Sequence, residues 1–265
     1  MLSEEHIPFA VSDNLEWMGK RAVDLVIAAD WAPAELGDYA ARGGKVLVVS
    51  SRAPWFAVAR VAKTESDVPG YLRVRDHAAF PSLKDTDLRL LNGAFAETEP
   101  QADAALTLVP PSMIGPPELV HIDQKDTSVP GIVTRGNLTW VPWDLGALYY
   151  RLGLDAHAGL FRDVVDRLMP VRQLKTNAHP LVEISVMTQG PRTLVHLINL
   201  SGHADTAYHE PVTMRDIRVM VDGAFGSARA LREAGAPAVR RKGRYSEFVI
   251  PELRDYEAVV LDAVR

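Results

Sequence analysis

Residues 24–51, DLVIAADWAPAELGDYAARGGKVLVVSS, decide the fold, because they spell one strand–helix–strand unit. Leu25-Val26-Ile27-Ala28-Ala29 is a continuous apolar run of strand length, the pattern of a parallel strand buried on both faces. Pro33 suits the first turn of a helix, where its missing N–H would have no partner. Leu36, Tyr39 and Ala40 share a face at helical spacing, and Gly43-Gly44 supplies a left-handed stop. Val46–Val49 is then a second buried strand. A parallel pair joined by a helix takes the right-handed crossover of a doubly wound sheet. The unit predicts a flavodoxin-like α/β fold and names no activity.

Working outward, 265 residues hold one large domain or two ordinary ones. A net charge of −5 speaks against a nucleic-acid binder that works by neutralising phosphates. No apolar run reaches the roughly 20 residues a membrane helix needs, so no membrane partner is expected. The opening MLSEEHIPFAVSDNLEW lacks the basic start and apolar core of a signal peptide, and the expected location is cytoplasmic. Zero cysteines remove disulfides, thiolate zinc sites and thiol nucleophiles. Sequons at Asn137 and Asn199 carry little weight without secretion.

Before the central unit, LSEEH reads as the last turn of a helix and Ile7–Val11 as a strand ending in Ser12-Asp13-Asn14. This abrupt start implies that a strand and helix of the doubly wound sheet are missing, leaving an edge open to another chain. After Ser51 the βαβ alternation stops. Pro54–Pro117 reads as an insertion with strands at Tyr71–Val74, Leu88–Leu91 and Ala105–Val109, the last ending in Pro110-Pro111 with Gly115-Pro116-Pro117 close behind. Ile132–Val141 predicts a hairpin about Arg135-Gly136-Asn137. Asp155 is a candidate N-cap for a sheet-covering helix with Ala158, Phe161, Val164, Val165 and Leu168 on one face, ended by Pro170. Its other face offers the pairs Arg162/Asp166 and Asp163/Arg167. From Leu181 the apolar period becomes two, with short strands and turn signals but no helix. That pattern predicts an antiparallel β-sandwich. The expected domains are 1–174 (α/β) and 175–265 (all-β), with Thr176-Asn177 in the linker.

Ligands of open α/β sheets bind beyond the carboxyl ends of the strands. Those ends place Asp13, Asp30, Trp31, Ser50, Ser51, Arg52, Trp143 and Asp144 around one rim. Carboxylates, hydroxyls and an arginine could hydrogen-bond a sugar, and Trp31 and Trp143 could stack on it. The opposing reading is that strand ends are polar in any such fold, because the chain there emerges into water. Ser50 and Ser51 sit where a nucleophile elbow would, but V-V-S-S-R-A lacks the glycines of G-x-S-x-G, so no catalytic residue is assigned. His203, Asp205, His209 and Glu210 are metal-ligand types without a recognised spacing, so no metal is expected. Arg240-Arg241-Lys242-Gly243-Arg244 reads as a solvated hairpin tip. There is no G-x-G-x-x-G and no Walker loop, and no cofactor is expected.

Four stretches carry a family resemblance: SDNLEWMGKRAVDLVIAAD (12–30), ARGGKVLVVSS (41–51), VPWDLGALYYRLGLDAHAGLFRDVVDRLMP (141–170) and VHLINLSGHADTAYHEPVTMRDIRVMVDG (195–223). Together they resemble the C-terminal half of a group of bacterial glycoside hydrolases. In that group a catalytic TIM barrel precedes a class I glutamine amidotransferase-like domain, similar to the trimerisation domain of certain β-galactosidases. A small antiparallel β domain closes the chain. Two departures matter. The barrel that would carry the acid and nucleophile carboxylates is not in this sequence, and the Cys–His pair of true amidotransferases is impossible without cysteine.

The resemblance therefore implies a non-catalytic accessory portion of a carbohydrate-active enzyme. Its implied partners are further copies of itself or a glycoside hydrolase barrel. The alternatives are a self-contained carbohydrate-binding protein or hydrolase using the strand-end crevice, and an interaction scaffold unrelated to sugars.

Overall fold

The computed structural model describes residues 1–18, 20, 22–52, 60–63, 70–110, 127–233 and 235–264. These divide into two compact units, residues 14–170 and residues 1–13 with 171–265. The chain is mostly β, with several antiparallel sheets and few helices. Among the described residues no helix is long and apolar enough to cross a membrane.

In the unit 14–170, β1 (Val26–Ala29) and β2 (Val46–Val49) pair in parallel around helix α1 (Glu35–Ala41). Leu36 and Ala40 of α1 are buried with Ala28, Val46, Val48 and Trp140, so the helical face read from the spacing is the one that packs. Gly43 has φ +99°, as a left-handed stop requires, and a Cβ at Gly44 would run into the Tyr39 ring. The insertion supplies β3 (Arg60–Lys63), β4 (Gly70–Val74), β5 (Leu88–Leu91), β6 (Ala94–Glu97) and β7 (Leu106–Val109). β3 pairs antiparallel with β6, and β4 sits between β5 and β7. Three of these strands were legible, while β3 and β6 are too short for their alternation to stand out. Gly115-Pro116-Pro117 lies outside the described residues.

Strands β8 (Val133–Arg135) and β9 (Leu138–Val141) form the expected hairpin, with Gly136 at φ +57°. β9 adds to β2 in parallel, giving the order β1-β2-β9-β8. A flavodoxin-like sheet has about five parallel strands, and the described residues hold three.

Helix α2 (Leu145–Leu152), which the sequence did not suggest, ends at left-handed Gly153. Helix α3 (Asp155–Leu168) starts where expected, but its cap residue is Leu154 and no side chain caps it. Its buried face is His157, Gly159, Leu160, Phe161, Val164 and Val165. On its polar side, Asp163 accepts hydrogen bonds from the N–H and hydroxyl of Ser82 at 2.9 and 2.8 Å. Arg167 stacks over Phe80 and donates to the carbonyl of Ala79 at 2.6 Å. The ammonium of Lys45 reaches the carbonyl of Leu168 at 2.8 Å, a cation where the helix dipole favours one.

The second unit is a sandwich. Its strands are β10 (Leu174–Thr176), β11 (Val182–Gln189), β12 (Arg192–Asn199), β13 (His203–Ala204) and β14 (Ala207–Tyr208). They continue with β15 (Met214–Asp222), β16 (Phe225–Ala230), β17 (Arg240–Lys242), β18 (Tyr245–Leu253) and β19 (Tyr256–Ala263). Two four-stranded antiparallel sheets, β10-β15-β18-β17 and β11-β12-β19-β16, enclose one apolar core. The period-two residues Val182 and Ile184 face Val195, Leu197, Ile217, Val219, Phe248 and Ile250 within it.

Two readings need correction here. Thr176 is not in a linker, since β10 pairs with β15. Ile7–Val11 is not a strand. Residues 1–6 form a turn closed by Glu5 N–H to the carbonyl of Met1 at 2.9 Å, ended by His6 at φ +52°. Ile7 is buried, and His6 Nε2 lies 2.9 Å from the carbonyl of Val182, so the segment belongs to the sandwich. An apolar run this short does not distinguish a strand from a strap laid on a sheet.

Candidate functional site

Because β1, β2 and β9 are parallel and in register, with Ala29 opposite Val49 and Val49 opposite Val141, their carboxyl ends lie side by side. The backbone N–H groups of Asp30 and Ser50 continue the ladder to the carbonyls of Val49 and Val141 at 3.3 and 3.2 Å. Asp144 accepts the N–H of Ser51 at 3.0 Å, and Ser50 Oγ accepts that of Arg52 at 2.9 Å. The indole of Trp140 donates to the Ser50 carbonyl at 2.7 Å. These contacts gather Asp30, Trp31, Ser50, Ser51, Arg52 and Asp144 on one rim.

The gathered residues differ in what they can offer a ligand. Asp30 is exposed in the left-handed region at φ +58°, and Trp31 is 52% exposed. Arg52 is exposed and Asp144 half-buried, whereas Ser50 and Ser51 are buried. Trp143 cannot supply a stacking face. It is 1% exposed, donates to the Gly131 carbonyl at 3.0 Å and meets the His157 ring edge-on. Asp13 follows no strand and belongs to the sandwich unit. Among the described residues, no histidine is hydrogen-bonded to Ser50 or Ser51. Among the described residues the rim offers hydrogen bonds and one aromatic face, with no histidine in contact with either serine to act as the base a serine nucleophile needs.

The loop after β12 is held at its base. The Asn199 side chain is buried and donates to the carbonyls of Val212, Leu253 and Arg254 at 2.8, 3.4 and 2.6 Å. That use of its amide leaves the Asn199 sequon no free nitrogen in the folded chain. A Cβ at Gly202 would collide with the His209 carbonyl, which explains the glycine. At the tip the His203 and Tyr208 rings lie 5.0 Å apart. No group of three potential metal ligands assembles among the described residues.

Sequence reading missed two buried histidines. His157 donates through Nε2 to the Leu90 carbonyl at 3.0 Å, and burial pulls its pKa below the ordinary 6.5. His6 is lowered for the same reason. A lowered pKa means each ring favours the neutral form when folded. Stability is therefore full above about 6.5 and is lost as the pH falls through that value toward the folded pKa. The urea midpoint should drop between pH ~7.5 and ~5.5, and His157→Gln should reduce the drop. An unchanged drop in His157→Gln would clear this residue of the effect.

No protein-family model and no curated protein matches the chain. Solved structures do. The whole chain superposes on α-L-fucosidase isoenzyme 2 from Paenibacillus thiaminolyticus with a TM-score of 0.78 at 16% identity, covering 44% of that chain. It also superposes in full on a GH42 β-galactosidase from G. stearothermophilus, with a TM-score of 0.57 at 11% identity and 35% of that chain covered. For the β-galactosidase from Bacillus circulans sp. alkalophilus the TM-score is 0.54 at 11% identity, covering 89% of this chain and 33% of that one. The chain thus spans less than half the length of these proteins, and its fold is one found within glycoside hydrolase chains.

Proposed function

We propose that the chain is a non-catalytic accessory portion of a carbohydrate-active enzyme, serving assembly. The observation that carries this reading is the superposition of the entire chain on under half of a glycoside hydrolase. On this reading the unit 14–170 is a class I glutamine amidotransferase-like domain of the β-galactosidase trimerisation type. Its partner is a second copy or a catalytic barrel. Two features support it. Among the described residues, the strand-end rim has no serine–histidine contact, and β1 ends its sheet on one side, leaving a ladder edge for another chain.

Size exclusion coupled to light scattering should give a mass above the 29.1 kDa of one chain, with no turnover of chromogenic glycosides or glutamine. Glycoside turnover abolished by Asp30→Asn or Asp144→Asn would overturn the reading in favour of a self-contained hydrolase. A carbohydrate-binding rim is the second reading, favoured by exposed Trp31 beside left-handed Asp30. Saccharide titration should then quench tryptophan fluorescence, and Trp31→Ala should remove the response.

A further inference from the structure

In the sheet β10-β15-β18-β17, alternation sends Ile217, Val219, Val221, Phe248 and Ile250 into the sandwich core. Arg218, Met220, Glu247 and Val249 therefore occupy the opposite face. Register aligns Lys175, Met220, Glu247 and Arg240 in one row across all four strands. That row spans about 14 Å, three strand spacings of about 4.8 Å. Arg218 and Lys242 flank it.

Glu247 is the one carboxylate at the centre, and it is only 6% exposed. It accepts Lys242 Nζ at 2.8 Å and lies 3.8 Å from Arg218 Nε. Of the other acids on these strands, Glu252 is engaged by Arg215 at 2.8 Å and Asp222 by Arg244 through two hydrogen bonds, and Asp216 lies outside the row, toward the start of β15. The Lys175 ammonium lies over the Tyr245 ring at 5.0 Å, not on a carboxylate. A single glutamate cannot neutralise Lys175, Arg218, Arg240 and Lys242, all of them exposed. Residues 171–265 carry 13 Lys and Arg against 11 Asp and Glu, in a chain whose net charge is −5. The cations are concentrated here against the overall sign.

We propose that this face binds a linear anionic polysaccharide, a chain of sugars bearing carboxylate or sulfate groups, through Lys175, Arg218, Arg240 and Lys242. The choice of a sugar polymer rests on the reading of the chain as part of a carbohydrate-active enzyme. The geometry favours a polymer over a small anion, because the cations are spread over a flat face and do not converge on a point. It disfavours nucleic acid. Single strands need exposed rings for base stacking, and the ring on this face, Tyr245, is buried. Duplex DNA needs an element that enters a groove.

Native affinity electrophoresis of the full chain tests this with polygalacturonate, dextran sulfate, neutral dextran and oligo(dT). One or both anionic glycans should retard the protein and neutral dextran should not. The retardation should weaken as salt rises. Lys175→Glu with Arg218→Glu and Arg240→Glu should weaken binding at least about tenfold. The same reversal at exposed Lys84 should change nothing. Glu247→Gln removes the central anion and should strengthen binding, which guards against a triple variant that merely misfolds. No retardation by either glycan, retardation unchanged in the triple variant, or equal retardation by oligo(dT) would each overturn the proposal. None of these results bears on the mass or turnover measurements that test the accessory reading, so the two can fail separately.

Discussion

Trp140→Ala should cost the unit 14–170 about 3–5 kcal/mol, the range for removing a large aromatic from a core that cannot collapse around the cavity. Trp140 is fully buried in one core cluster with Ala28, Leu36, Ala40, Val46 and Val48, residues of all three elements of the β1–α1–β2 unit. Its indole N–H also holds the Ser50 carbonyl at 2.7 Å. Trp140→Phe separates the two contributions. It keeps most of the packing and leaves one carbonyl unpaired, for which about 1–3 kcal/mol is expected. All five tryptophans of the chain lie within residues 14–170, so urea unfolding followed by tryptophan fluorescence reports on this unit. An Ala variant within about 1 kcal/mol of the parent would mean that the site repacks, and that Trp140 does not organise this core.

The strand–helix–strand core was legible because burial on both faces writes continuous apolar runs, and Val46–Val49 is buried throughout. The sandwich was legible because one face packs and one is solvated, which writes alternation: Ile217, Val219 and Val221 are buried while Arg218 is exposed. The misreadings fall where those signals are short or shared. Ile7–Val11 has a strand's composition, yet its place is fixed by the contact of His6 with Val182, 176 residues away. Trp143 follows a strand end as a ligand-binding aromatic would. Which way its ring turns depends on Gly131 and His157, contacts that sequence order does not encode. The cationic face was hidden for a related reason. Its cations come from three separate strands, and Arg240–Lys242 alone reads as a polar hairpin tip.

Glu257→Ala should unfold or severely loosen the sandwich unit, at a cost of about 3–5 kcal/mol. The side chain is 1% exposed, and its carboxylate gathers four backbone N–H groups. Oε1 accepts those of Leu231, Arg232 and Ala258 at 3.1, 3.0 and 2.9 Å, and Oε2 accepts that of Glu233 at 2.9 Å. Burying a charge is unfavourable unless hydrogen bonds replace its water, and here the backbone supplies them. Leu231 N–H also donates to the Ala258 carbonyl at 2.9 Å, so alanine would strand the donors of Arg232, Glu233 and Ala258, which is why the loss should exceed that of one ordinary hydrogen bond. Glu257→Gln is the informative variant. Its amide oxygen can keep the three donors at Oε1, but its NH₂ would face the Glu233 N–H donor to donor. A loss of about 1–2 kcal/mol is expected, confined to the turn after β16. Amide hydrogen exchange at Leu231, Arg232 and Glu233 reads this directly. Exchange should accelerate at Glu233 in the Gln variant and at Arg232 and Glu233 in the Ala variant, with Leu231 less affected because it keeps its bond to the Ala258 carbonyl. Uniform acceleration across β11, β12 and β19 in Glu257→Gln would show that the carboxylate supports the whole sheet and not this turn.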